Sequence, residues 1–153
     1  MDPASAAVAF VGFAASVLGL AGAAAEGSRA LHNLWRKLKD APRDSKRLLV
    51  VVGTLEGLVK VIEQQDGHSF VHNLPSDLRK VWNELSLQMI EDFSNLKEDV
   101  GRLEKALLAP SISKKYVRMR LIKFFIDDGI QKYYTHFLEH VQTLQVILAY
   151  SSM

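Results

Sequence analysis

The chain has 153 residues, 48% hydrophobic and 24% charged, which is enough for one globular domain with a substantial core. A net charge of +2 is too small to recommend nucleic acid as a partner, and the absence of cysteine excludes a disulfide framework and any thiolate zinc site. That absence also suits a reducing compartment.

From Pro3 to Ala25 there is no charged residue, and Asp2 and Glu26 bracket the stretch. As a helix these residues span about 35 Å, enough to cross a bilayer core of about 30 Å. Most are Ala and Gly. The larger groups are Val8, Phe10, Val11, Phe13, Val17, Leu18 and Leu20. Each favours membrane insertion by about 0.3–0.6 kcal/mol, about 2–4 kcal/mol together, and the glycines and Ser16 oppose it. The stretch is therefore a marginal membrane helix, with a home either on a protein core or in lipid. Small residues recur at helical spacing: Gly12 with Ser16, Ala15 with Gly19, Gly19 with Ala23. Such pairs allow close helix–helix approach, in membranes especially, although tight packing inside a soluble bundle uses them equally well. Ala23-Ala24-Ala25 resembles a signal-peptide cleavage site, but no Lys or Arg precedes the apolar run and Asp2 does.

Leu31, Leu34, Trp35 and Leu38 continue a helical stripe beyond Gly27. Asp40 offers an N-cap, with Pro42 tolerated in the first turn of the next helix. Leu48, Val52, Leu55, Val59 and Ile62 then form one helix face, and Asp66-Gly67 ends it, opening a loop that runs to Pro75. Pro75 and Ser76 start a third helix whose stripe is Leu78, Val81, Leu85, Met89, Phe93, Leu96, Val100, Leu103 and Leu107, broken at Pro110. Val117, Leu121, Phe124 and Phe125 suggest a short fourth helix. Ile126, Ile130, Tyr133, Phe137, Val141, Leu144 and Leu148 mark a long last one. No strand pattern survives, since the helical stripe overrides Leu49-Val50-Val51-Val52. The expectation is one all-α domain over 1–153, a bundle of four to five helices. Its apolar Ala/Gly-rich N-terminal helix occupies 1–25 as a latent membrane helix, and amphipathic helices fill 28–151.

Little in the sequence points to catalysis. His136-Phe137-Leu138-Glu139-His140 matches the H-x-x-E-H pattern of inverted zinc proteases, in which two histidines one turn apart share a helix face. A third ligand is needed from well downstream, and only thirteen residues follow His140. His68 and His72 repeat the spacing near an expected loop. There is no phosphate-binding glycine loop, no nucleophile elbow and no dinucleotide fingerprint, so neither an enzyme nor a cofactor or metal is expected.

Charge is unevenly spread. Arg29, Arg36, Lys37, Lys39, Arg43, Lys46 and Arg47 follow the apolar stretch with only Asp40 and Asp44 among them. Lys114, Lys115, Arg118, Arg120 and Lys123 form a second basic run. Cations beside an apolar helix attract anionic lipid, although a charge run is often only a solvated face. Nucleic acid is disfavoured because aromatics do not interleave the runs.

Met1-Asp2-Pro3, Ser16-Val17-Leu18-Gly19-Leu20 and Lys39-Asp40-Ala41-Pro42, in this order and spacing, resemble the fungal HeLo-like family. That family includes N-terminal domains attached to fungal STAND (NLR-type) receptors. The likeness runs from Met1 to about Gln65; beyond it only the helical periodicity matches. The resemblance implies a bundle similar to that of the animal necroptosis executioner. It also implies cell-death activity through an N-terminal helix, here Ala6 through Ala25, that leaves the bundle and enters the plasma membrane. It places the start of the second helix at the basic turn around Lys39 and Arg43. The implied triggers are a C-terminal amyloid motif templated by a receptor, or a fused nucleotide-binding domain; neither is located in this sequence.

The expected membrane-inserting residues are Val8, Phe10, Val11, Gly12, Phe13, Ser16, Val17, Leu18, Gly19 and Leu20. Those expected at lipid headgroups are Arg36, Lys37, Lys39, Arg43, Lys46 and Arg47. In the resting bundle the first helix is expected to pack on the third and last helices. The expected partners are further copies of the chain, anionic membrane lipids and an upstream NLR-like/STAND receptor. The expected location is cytoplasmic at rest and plasma membrane on activation. Two rivals stand beside this reading: a non-lytic helical adaptor of an NLR-like signalling protein, and a secreted or anchored protein.

Overall fold

A computed structural model describes residues 3–37, 43–65, 67–108 and 128–151, with the backbone alone for 3–16, 43–44, 67–68, 106–108 and 128. Five helices make up the described chain: α1 (Pro3–Lys37), α2 (Arg43–Gln64), α3 (Gly67–His72), α4 (Ser76–Leu108) and α5 (Asp128–Ser151). Among the described residues there is no strand. The architecture is an all-α bundle.

α1 is one unbroken helix of 35 residues, about 52 Å long, so the apolar stretch and the amphipathic segment after Gly27 form a single rod. Nothing in the sequence stops it earlier, since Gly27 costs a helix only about 1 kcal/mol relative to Ala. Its last turn carries Arg36 and Lys37, which suit the negative end of the helix dipole. α4 begins where the Pro75 carbonyl accepts the Arg79 N–H at 2.9 Å. Asp77 in its first turn and Lys105 in its last complement the dipole. The segment expected as a loop before Pro75 contains α3. It closes on itself through Asn73 N–H to the Ser69 carbonyl and Leu74 N–H to the Val71 carbonyl.

α1 packs most extensively on α4, then on α2; α2 packs on α5, and α5 on α4. The expectation that α1 rests on the last helix is thus corrected: among the described residues it packs on α4, α2 and α3. Directions follow from side-chain pairs. Glu26 meets Lys97 and Lys37 meets Glu104, so α1 and α4 run parallel. Asp92 meets His140 and Tyr133 meets Asp99, so α4 and α5 run antiparallel. Five residues separate α1 from α2 and reach only about 20 Å, less than the roughly 33 Å length of α2, so these neighbours are antiparallel.

The core is built from the expected stripes. Leu48, Val52, Leu55, Val59 and Ile62 of α2 are buried, as are Leu85, Met89, Phe93, Leu96, Val100 and Leu103 of α4 and Ile130, Tyr133, Phe137, Val141 and Leu144 of α5. Two stripe positions are corrected, the first being Trp35 of α1, which is exposed. Val81 is exposed, and its neighbour Trp82 is fully buried with its ring edge-on to Phe70 of α3, centroids 5.6 Å apart. The expected helix around Val117–Phe125 lies outside the described residues.

Candidate functional site

The seam between α1 and α4 decides whether the first helix stays in the bundle. On α1, Val17, Leu20, Ala24, Leu31 and Leu34 are buried, a face at three- and four-residue spacing. At Gly27 the backbone of α1 comes close to α4. A β-carbon placed on Gly27 would lie 3.0 Å from Cδ1 of Phe93, 3.2 Å from its carbonyl oxygen and 3.5 Å from its Cβ. Only glycine lets the backbone settle there without displacing Phe93. Of the three α1 glycines whose surroundings are described, Gly27 is the one that tight packing needs. Gly19 is looser, its β-carbon position lying 3.8 Å from Cδ1 of Ile90, and the corresponding position on Gly22 meets nothing within 4 Å.

Two ion pairs flank the notch. Lys97 of α4 donates to Glu26 at 2.7 Å, and Lys37 donates to Glu104. The hydrogen bond and charge of Lys97 hold the Glu26 carboxyl below its ordinary pKa, with Arg29 adding to the effect. Both pairs are largely solvated, and such pairs contribute little to stability. Buried apolar area and the Gly27 notch therefore do most of the holding, and the ion pairs set the register.

The residues expected to enter a membrane divide. Val17 and Leu20 are buried in the bundle, Leu18 is 66% exposed, and Gly19 is exposed beside Ile90. Val8, Phe10, Val11, Gly12, Phe13 and Ser16 belong to α1, and their side chains lie outside the description. Among the residues whose side chains are described, no helix is long and apolar enough to cross a membrane. That description leaves out 3–16, the greater part of the uncharged stretch.

The basic candidates gather at one end of the bundle, where α1 finishes and α2 begins. Arg36, Lys46 and Arg47 are exposed with no ion pair among the described residues; Lys37 is exposed but engaged by Glu104. Lys39, the side chain of Arg43 and the second basic run lie outside the described residues. Arg36 stands eleven residues past Ala25 on the same helix, about 16 Å further along. Exposed Arg29 stands only four residues past Ala25, so the cations of α1 begin about 6 Å beyond the apolar stretch.

A second polar feature lies between α4 and α5. His140 is buried, its Nε2 2.6 Å from one oxygen of Asp92, while Nδ1 of His136 lies 3.6 Å from the other oxygen. One turn along, the Tyr133 hydroxyl donates to Asp99; burial first, then this bond, raises the phenol well above its ordinary pKa. Asp92, Tyr133, His136 and His140 edge an open cavity of about 380 Å³ that also meets Glu91, Glu139 and Lys132. The two histidines of the H-x-x-E-H pattern do share a face, and both turn to a carboxylate of α4. Among the described residues no group of three His, Asp or Glu side chains is arranged to hold a metal ion. Asp92 escaped the sequence reading because it lies forty-eight residues upstream of His140, where no spacing rule applies.

No protein-family model, curated protein or solved structure matches this chain.

Proposed function

We propose that this chain is a cell-death execution domain that oligomerises and permeabilises the plasma membrane through its first helix. The observation that carries the reading is the continuity of α1, a 35-residue rod whose first 23 residues, Pro3 to Ala25, bear no charge. Its second half is docked by an apolar face, a glycine notch and two solvated ion pairs. Val17, Leu20 and Ala24 trade one apolar surrounding for another on passing from core to lipid, so that step costs them little. The cost falls on α2 and α4, which lose the cover of α1, at Phe93 of α4 above all. Neighbouring copies in an oligomer restore part of that cover, so release is favoured by raised local concentration. Small faces at Gly12, Ser16 and Gly19 serve helix contact in the membrane. Anionic inner-leaflet lipid and an upstream STAND receptor are the partners of this scheme, which starts in the cytoplasm. Dye release from anionic liposomes tests it: the whole chain leaks them, and a chain lacking residues 1–25 does not. Equal leakage by both removes the role of the helix.

A non-lytic adaptor is the second reading, favoured by the near-complete burial of Leu20, Ala24, Leu31 and Leu34, which makes α1 an ordinary core helix. Cells that express the domain, stay viable and hold none of it at membranes support the adaptor.

A further inference from the structure

The outer face of the α4–α5 seam carries charge of one sign. From Val81 to Leu96 on α4, and from Tyr133 to Ser151 on α5, there is no Lys or Arg. On α4, Val81, Glu84, Gln88, Glu91 and Asn95 recur three and four residues apart, and all are exposed. On α5, Glu139, Val146 and Tyr150 share one exposed face. The two faces open the same way, because Gln88, Glu91 and Asn95 line the cavity of about 380 Å³ together with Glu139. The pairs Asp92–His140 and Tyr133–Asp99 set the level of the two helices. Val81, eleven residues before Asp92, therefore falls beside Tyr150, ten after His140. The result is an exposed strip about 21 Å long, from Asn95 to Val81, acidic at the cavity and apolar at its far end. Val146 is 64% and Tyr150 54% exposed, so both are available to a partner. Glu84, Glu91 and Glu139 have no ion pair among the described residues.

We infer that this strip docks a cationic amphipathic helix of another protein. Its apolar stripe lies on Val81, Val146 and Tyr150, and a Lys or Arg enters the cavity between Glu91 and Glu139. Anionic lipid and nucleic acid are repelled by the three carboxylates. A wholly apolar partner buries those carboxylates unpaired, which is costly. A helix offers apolar and charged groups along one face at the spacing the strip presents, and about 14–18 residues span it. None of the strip's residues enters the membrane scheme above, so the inference stands apart from it.

The probe is a fluorescein-labelled, amidated model helix of about 18 residues, with leucine along one stripe and lysine beside it. Its fluorescence anisotropy is followed on titration with the full chain, without lipid and at near-physiological salt. The parent binds it saturably, and binds a scrambled peptide of the same composition about tenfold more weakly or less. Glu84→Gln/Glu91→Gln/Glu139→Gln weakens binding by about tenfold. Val146→Asp/Tyr150→Ser weakens it severalfold with every carboxylate in place. The inference is overturned if the parent leaves the helix free, if the scrambled peptide binds equally well, or if either variant binds like the parent. Sedimentation of the chain alone covers the remaining occupant: self-association that is lost in these variants gives the strip to a second copy and overturns the inference too. The substituted side chains are exposed, and circular dichroism verifies the fold.

Discussion

Gly27 of α1 sits against Phe93 of α4 so closely that a β-carbon on the glycine would meet the ring at 3.0 Å and the backbone carbonyl at 3.2 Å. Gly22, five residues earlier, has open space at the same position. Gly27→Val is expected to destabilise the bundle by about 1–3 kcal/mol through overpacking. Gly22→Ala is expected to stabilise it by about 0.5–1 kcal/mol through helix propensity. Urea unfolding of the two variants measures the contrast; on the membrane reading, Gly27→Val also lowers the protein concentration at which liposomes leak.

Leu18 and Leu20 are near neighbours on α1, one largely exposed and one fully buried. Leu20→Ala is expected to cost about 2–5 kcal/mol, whereas Leu18→Ala stays within about 0.5 kcal/mol. Thermal unfolding separates them. Equal effects on stability would mean that α1 is not docked on this face.

The Glu26–Lys97 pair gives the seam a response to acid. Because the folded state holds the Glu26 carboxyl below its ordinary value of 4.5, its contribution is present above that pH and is lost as pH falls through the lower folded value. Wild type is therefore expected to be slightly more stable than Glu26→Gln at pH 7, and the difference is expected to vanish on acidification below 4.5. Paired denaturation curves at the two ends of that range measure it.

Tyr133 gives the α4–α5 seam the opposite response. Its phenol is raised above the ordinary value of 10, so the protonated form belongs to the fold and the stability linked to it falls as pH rises beyond 10. Tyr133→Phe is expected to lose stability at neutral pH, because the half-buried Asp99 carboxylate loses its donor, and to show a shallower alkaline decline than wild type. Denaturant titrations at pH 8 and near pH 11 reveal both effects.

Periodicity carried most of the fold. The α2 and α5 stripes and most of the α4 stripe sit where apolar side chains recur three and four residues apart, because burial on one helix face requires that spacing. The same rule permitted both Val81 and Trp82 between Leu78 and Leu85. The larger side chain took the core because α3, hidden in a segment that read as a loop, brings Phe70 to it. The continuity of α1 was partly legible in the stripe beyond Gly27, but its choice of partners was not. Pairings such as Glu26 with Lys97 and Gly27 with Phe93 join residues more than sixty positions apart, and no local pattern encodes them. Of the candidate site, the uncharged stretch and the clustered cations were visible in the sequence. The notch at Gly27 and the cavity beside His140 needed the packing of the helices to appear.

Locking the seam tests the central claim most directly. The native chain has no cysteine, and the β-carbons of Gly27→Cys and Phe93→Cys stand near 3.5 Å, within the range of about 3.5–4.5 Å that a disulfide requires. The measurement is dye release from anionic liposomes by this variant, oxidised and then reduced. The account predicts silence when α1 is tethered and leakage once the bond is opened. Full leakage from the oxidised protein would contradict it.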